Sequence, residues 1–162
     1  MYEHYAVMQH IAETPLIGSD NANKRFFRAS TLKEIEELLE NSAKAAVQGI
    51  IAMDDDDVRY SVTDNDILSP KTHYSVVIFK QYKQGDINSW LEAKKWCKTT
   101  SRSMINLLRM YCKKQLNGFL PTEKLNDFTT FNIGRLFDFW AIQLNFTVTE
   151  VICSQNFGQE YL

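Results

Sequence analysis

The fold is decided between residues 73 and 115, where the chain reads HYSVVIFKQYKQGDINSWLEAKKWCKTTSRSMINLLRMYCKKQ. The first part, 73–82, is rich in Tyr, Val, Ile and Phe, which predicts a central β-strand. After Gly85 and Asp86, apolar residues recur at helical spacing as far as residue 115. The stretch therefore predicts a strand followed by one long amphipathic helix, or by a helix pair. The weak point is 99–101, where hydroxyl side chains compete for backbone hydrogen bonds.

Weaker patterns flank this stretch on both sides. Thr31 and Glu34 fit a capping box, in which hydroxyl and carboxylate satisfy free amide groups at the start of a helix. Alternation of apolar and polar residues with a period of two predicts strands before and after the long helix. The remaining predicted elements are helices over 3–13 and 31–40, strands over 47–53, 58–63 and 137–149, and an irregular stretch over 121–132.

The order of the predicted elements indicates the fold class. Three strands precede the long helix with short connections, which favours antiparallel pairing with helices on one face. We therefore expect an α+β fold, with a mainly antiparallel sheet of about four strands and the long amphipathic helix packed across it. We expect one domain over 1–162, with an N-terminal helix and loop over 1–24, a core over 25–157 and a tail over 158–162. The expected core residues are Val77, Phe79, Trp90, Leu91, Leu108, Trp140, Ile142 and Leu144.

Composition limits the classes of protein that this chain can belong to. It is 44% hydrophobic and 23% charged, with 18 basic and 20 acidic residues. A formal charge of -2 argues against a dedicated nucleic-acid binder, which is usually strongly basic. Three cysteines without CxxC spacing predict free thiols in a reducing compartment. No targeting segment is visible at the N-terminus, and no apolar run approaches the ~20 residues that a membrane helix needs, so we expect no membrane contact.

The most conspicuous polar feature is an acidic run, defined as Asp54, Asp55, Asp56 and Asp57. Clustered carboxylates suit calcium, but the run lacks the glycine and the distal glutamate of a calcium-binding loop. We therefore expect no metal there. The run is interpreted as a solvated hairpin turn whose charge blocks edge pairing, or as a contact with another subunit.

Residues capable of catalysis or metal binding are scattered. His4, His10 and His73 do not have metal-ligand spacing. Cys97 and Cys112 fall on the apolar stripe of the long helix, which predicts buried, inert thiols. Neither a nucleophile motif nor a phosphate-binding loop is present in the sequence. We expect no catalytic residue and no cofactor, although an enzyme of unrecognised type stays open as an alternative.

The long helix carries seven basic residues against one acidic residue, Glu92. Such a surface could bind nucleic-acid phosphates, or it could meet an acidic surface on a neighbouring subunit. The second interpretation pairs the acidic run with Lys94, Lys98 and Arg102 as a subunit interface. The basic residues are Lys94, Lys95, Lys98, Arg102, Arg109, Lys113 and Lys114.

The order of elements over 26–157 resembles that of the tail terminator, or tail completion, proteins of tailed bacteriophages. The matching pieces are the helix 31–40, the strand 47–53, the acidic run, the strand 73–82, the long helix around 90–112, the final strand 134–151 and a short tail at 153–157. The resemblance implies a virion structural protein that forms a ring, caps the tail tube and joins it to the head. Its partners would be copies of itself and other neck or tail proteins. It would be located in the virion, and in the host cytoplasm during assembly. The alternative function is a small accessory protein that binds nucleic acid through the basic helix 94–114.

Overall fold

The computed structural model describes residues 2–42, 46–54, 57–62, 67–114, 124–150 and 152–153. Three α-helices, one π-helical turn and seven strands make up this part of the chain. In chain order they are α1 (His4–Glu13), β1 (Phe26–Ala29), α2 (Leu32–Glu37), the π-helical turn (Leu38–Ser42), β2 (Gln48–Met53), β3 (Asp57–Val62), β4 (Ile67–Gln81), α3 (Ile87–Lys113), β5 (Lys124–Leu136), β6 (Phe139–Thr149) and β7 (Ile152–Cys153).

All seven strands belong to one mixed sheet. Its main order is β1-β2-β4-β6-β5, and β3 and β7 each pair with the first half of β4. The β1–β2 pair is parallel and the other pairs are antiparallel. The expected sheet of about four mainly antiparallel strands is therefore wrong, because the chain forms an α+β domain with a larger, mixed sheet.

The strands that the sequence did not predict are those with the weakest patterns. β1 has four residues, too few to establish a period. β5 covers most of the stretch predicted to be irregular, and its pairing with β6 shifts register between Asn126 and Thr129 and again between Asn132 and Gly134. Each shift breaks the period of two that identifies a strand.

One face of the sheet is covered by α1 and α3. Buried side chains of α3, including Cys97, Met104 and Leu108, pack there with Ile78 and Leu144 from the sheet. Burying a side chain of this size stabilises the fold by about 1.5–3 kcal/mol. The helix continues unbroken through 99–101, because Thr100 and Ser101 are buried and the Ser101 hydroxyl donates to the carbonyl of Lys98 at 2.8 Å.

The opposite face is partly covered by α2 and the π-helical turn. Ile35 and Leu39 pack there against Phe27, Phe79 and Phe139. The expectation that helices cover only one face is thus wrong. The predicted cap of α2 is confirmed, since the Thr31 side chain accepts a hydrogen bond from the Glu34 amide.

Most of the expected core residues are buried. Val77, Phe79, Leu108, Trp140, Ile142 and Leu144 are at most 8% exposed. Trp90 is only partly buried, and Leu91 is 49% exposed, so its assignment to the core is wrong. The buried stripe of α3 passes through Ala93 and Cys97 and leaves Leu91 on the solvent side.

Candidate functional site

The acidic run does not form a hairpin turn. β2 and β3 are both antiparallel to β4, with Ala52 opposite Val76 and Asp57 opposite His73. The two strands are therefore successive segments along the same side of β4, and the run interrupts them. Asp55 and Asp56 lie outside the described residues, as does the side chain of Asp57. The interpretation as a hairpin turn is wrong, because the chain continues in the same direction on both sides of the run.

Asp54, the first residue of the acidic run, is bound within the subunit. The Nε of Arg28 donates to both carboxylate oxygens of Asp54, at 2.7 and 2.8 Å. The parallel register places Arg28 opposite Ala52, so its side chain reaches the end of β2. The Asp54 amide also donates to the carbonyl of Ala29 at 3.1 Å. This carboxylate is already paired and contributes little free charge to an interface.

The three predicted basic contact residues on α3 have different surroundings. The Lys94 ammonium lies 4.6 Å from the ring centre of Trp90 and 5.0 Å from that of Trp140, so it is held against the protein by cation–π contacts. Lys98 and Arg102 are exposed. Within the described part of the chain, neither of these two residues forms an ion pair. Two of the three basic residues are thus free to meet a partner.

The strand β3 displays an exposed apolar stripe, defined as Val58, Tyr60 and Val62. These side chains are 41%, 67% and 65% exposed. The sequence predicts the alternation of β3 correctly, but alternation cannot tell whether another element covers the apolar side. Among the described strands β3 pairs only with β4, so its outer edge is free.

The strand β5 forms an edge on the opposite side of the sheet, and its register overlaps that of β3 only around Lys71 and His73 of β4. It has 13 residues and pairs, within the described strands, only with β6. Phe131 near its centre is 54% exposed, and residues 128–134 carry no charge. β3 and β6 are both antiparallel to β4, and β5 is antiparallel to β6, so β3 and β5 run in opposite directions at opposite edges.

The larger cavities that the structure describes are lined by charged and hydroxyl side chains. An open cavity of about 740 Å³ lies between the π-helical turn and the β5–β6 turn, with Glu40, Lys83 and Asp138 as its charged lining residues. Ser89 also lines it, but the Ser89 hydroxyl accepts the Lys83 amide at 2.8 Å. A second cavity of about 660 Å³ lies beside α1 and β1, and neither cavity is lined by a cysteine or a histidine.

The buried thiol of α3 is not an activated nucleophile. Cys97 is 0% exposed, and burial raises its thiol pKa to about 12, with nearby Lys80 offsetting part of that rise. The thiolate is the nucleophilic form of cysteine. Cys97 therefore stays protonated at neutral pH and acts as a packing residue.

The described residues contain no group of three or more His, Cys, Asp or Glu placed to hold a metal ion. No helix in the ranges given above is both long enough and apolar enough to cross a membrane. In comparisons with known proteins, no family model and no curated protein matches the chain.

Proposed function

We propose that this protein is a structural subunit of a ring, of the kind that ends a phage tail or joins it to the head. It acts through contacts with copies of itself and with other neck or tail proteins, not through catalysis. Its place is the virion, and the host cytoplasm during assembly. The observation that carries this proposal is that β3 and β5, which lie at opposite edges of the described part of the sheet, run in opposite directions.

The directions of the two edges suit head-to-tail assembly. In a ring, each subunit offers one surface to the preceding copy and a different surface to the next copy. If β3 of one copy lies beside β5 of its neighbour, the two strands are antiparallel and the sheet continues from subunit to subunit. With a stagger between the strands, such a sheet closes into a barrel that has no free edge.

Exposed apolar side chains at both edges support the same assembly. A contiguous apolar surface on a monomer marks a site of contact with another protein. Tyr60 belongs to the residue types that dominate interface energies, and it stands beside Val62 on the apolar stripe. Phe131 is exposed on β5, on the opposite face of the sheet from the stripe, because it lies opposite Gln143 and hence in line with Val77. A free edge is normally protected by charged side chains, and the uncharged stretch 128–134 lacks that protection.

The experiment is a measurement of native mass by light scattering and native mass spectrometry. The parent protein should form a closed oligomer, and Tyr60→Glu or Val62→Glu should release monomers of 18.8 kDa. The control is Ile87→Glu, because Ile87 is 66% exposed, close to the 67% of Tyr60 and the 65% of Val62. A parent that stays monomeric at every accessible concentration would overturn the proposal. Equal mass loss in the control would overturn it as well.

Nucleic-acid binding through the basic helix 94–114 is the second candidate function. Exposure of Lys98 and Arg102 without an ion pair among the described residues favours it. Salt-dependent binding of duplex DNA that disappears in Lys98→Gln with Arg102→Gln, by a parent that remains monomeric, would put this function first.

A further inference from the structure

Three buried polar atoms without a hydrogen-bond partner belong to residues at one end of the sheet face opposite α1 and α3. Four buried side-chain nitrogen or oxygen atoms of the described residues have no hydrogen-bond partner, and three of them are Nε2 of His73, Oδ1 of Asn126 and Oγ1 of Thr149. A buried polar group without a partner is costly and rare in a folded protein. Their clustering therefore points to a missing ligand, not to scattered defects.

The strand register places these atoms in two adjacent rows. One row crosses the sheet through Arg59 on β3, Lys71 on β4, Thr149 on β6 and Lys124 on β5. Residues directly opposite each other in antiparallel strands project from the same face. Lys71 and Val77 are six residues apart on β4, so their side chains project from the same face of the sheet. Val77 belongs to the same buried cluster as Ile35 of α2, so the row lies on the face that α2 covers. We name it the basic row.

The second row lies one step further along the same strands. It contains Asp57, His73, Thr147 and Asn126. The Thr147 hydroxyl lies 3.1 Å from Nδ1 of His73. If this hydroxyl donates to Nδ1, the ring proton sits on Nε2, and Nε2 of His73 becomes a hydrogen-bond donor in the second row. The Asn126 amide can present its nitrogen by a half-turn of the side chain.

The basic row is strained electrostatically when nothing is bound. Arg59 and Lys71 are directly opposite each other in register, and like charges in that position repel. Arg59, Lys71 and Lys124 are all exposed. Among the side chains that the structure describes, which do not include that of Asp57, none of the three has an ion-pair partner. The unpartnered Thr149 hydroxyl, in a side chain only 9% exposed, lies between Lys71 and Lys124.

From this arrangement we propose that the basic row and the row beside it bind a phosphate group. The ligand class is an oxyanion, because the three cations attract negative charge and a phosphate oxygen accepts hydrogen bonds from hydroxyl, imidazole and amide donors. Arg59, Lys71 and Lys124 supply the charge, and Thr149, His73 and Asn126 supply the donors. Four strands span about 14 Å at ~4.8 Å per strand, so a free phosphate ion occupies one part of the row, whereas a stretch of nucleic-acid backbone follows its length.

The test measures binding of two probes in a low-salt buffer. Inorganic phosphate is titrated by calorimetry, and a labelled single-stranded oligonucleotide is followed by fluorescence anisotropy. Arg59→Gln with Lys71→Gln should weaken binding about tenfold or more. For the oligonucleotide it should lower the slope of log affinity against log salt by about 1.4, at ~0.7 per lost phosphate contact. The matched control is Lys33→Gln with Lys83→Gln, which removes the same charge from two exposed positions outside both the basic row and α3.

A second variant tests the buried hydroxyl separately. Thr149→Val keeps the shape of the side chain, so the ligand-free protein should be at least as stable as the parent, while its phosphate affinity should fall. Tighter binding of the oligonucleotide with a strong salt dependence identifies nucleic acid as the source of the phosphate, and equal affinity for both probes identifies the free ion. A parent that binds neither probe overturns the proposal. Equal losses in the sheet variant and in the control also overturn it, because they indicate general charge attraction.

Discussion

The Nε of Arg28 lies 2.7 Å from Oδ1 and 2.8 Å from Oδ2 of Asp54. This contact joins the edge strand β1 to the end of β2 and neutralises the first carboxylate of the acidic run. The Arg28 side chain is 57% exposed and that of Asp54 is 31% exposed. An ion pair this open to water is screened, and it contributes little to the free energy of unfolding.

We expect Arg28→Gln to change the free energy of unfolding by less than about 1 kcal/mol. The contrasting variant is Arg25→Gln, because the Arg25 guanidinium donates to the carbonyl of buried Ile17 at 2.9 Å. A hydrogen bond from a charged group contributes about 1.5–3 kcal/mol, so the second variant should cost more. Urea denaturation measures both values. A larger loss at Arg28 than at Arg25 would contradict the ranking.

The long helix offers a matched pair of leucines. Leu108 is 0% exposed and Leu91 is 49% exposed on the same helix. We expect Leu108→Ala to lower the free energy of unfolding by about 2–5 kcal/mol, because it leaves a cavity in the core. Leu91→Ala should change it by no more than about 0.5 kcal/mol. Similar losses at the two positions, seen in parallel denaturation curves, would show that the buried face of α3 is assigned wrongly.

The elements predicted correctly from the sequence are those whose apolar residues repeat at a regular spacing over many residues. α3 repeats its apolar spacing over 27 residues, and β6 alternates over 11. β1 is recognisable only from its parallel contact with β2, which joins residues far apart in sequence. β5 is hard to recognise in the sequence, because two register shifts interrupt its alternation. Local patterns carry neither kind of information, so the predicted sheet was too small and lacked its parallel pair.

The candidate surfaces, too, could be predicted only in part from local sequence patterns. A polar interruption between two strands fits a turn as well as a break along one edge, so the sequence could not place the acidic run. The pairing of Asp57 with His73 distinguishes the two possibilities. Likewise, the charges of Arg59, Lys71 and Lys124 are plain in the sequence, but only the register of four strands brings them into one row.

The raised pKa of the buried Cys97 thiol predicts that the protein loses stability at alkaline pH. Its pKa is raised to about 12 in the folded protein from an ordinary value of 9.0, mainly because burial disfavours the thiolate. Between about pH 9 and pH 12 the unfolded chain therefore releases a proton that the folded chain keeps. The folded state then binds more protons, and the free energy of unfolding must fall as the pH rises.

Replacement of Cys97 should remove this dependence. Between pH 9 and pH 12, we expect the parent to lose stability more steeply than Cys97→Ala, by up to about 1.4 kcal/mol per pH unit. Unfolding curves at several alkaline pH values give both slopes. Leu108→Ala serves as the control, because it weakens the same core without removing a titrating group. Equal slopes for the parent and Cys97→Ala would contradict the burial of this thiol.

The last prediction concerns the acidic run and the basic side of α3 in the proposed ring. Because Arg28 already neutralises Asp54, the acidic charge left for a neighbour is that of the residues that follow it. Asp55→Lys with Asp56→Lys should therefore lower the fraction of oligomer at low salt, and Lys98→Glu with Arg102→Glu in the same chain should partly restore it. Lys94 is left unchanged because it lies over Trp90 and Trp140.

The salt dependence of assembly distinguishes the effect of these charges from the effect of the apolar contact. The effect of the reversed charges should fade as the Debye length falls from about 10 Å at 0.1 M to about 3 Å at 1 M salt, whereas the effect of Tyr60→Glu on the apolar stripe should persist. Native mass measured across a salt series tests both expectations. The control reverses two other exposed acids, Glu37→Lys with Glu40→Lys, and should leave the oligomer intact. If the reversed acidic run assembles like the parent at low salt, these residues do not face each other across the subunit interface.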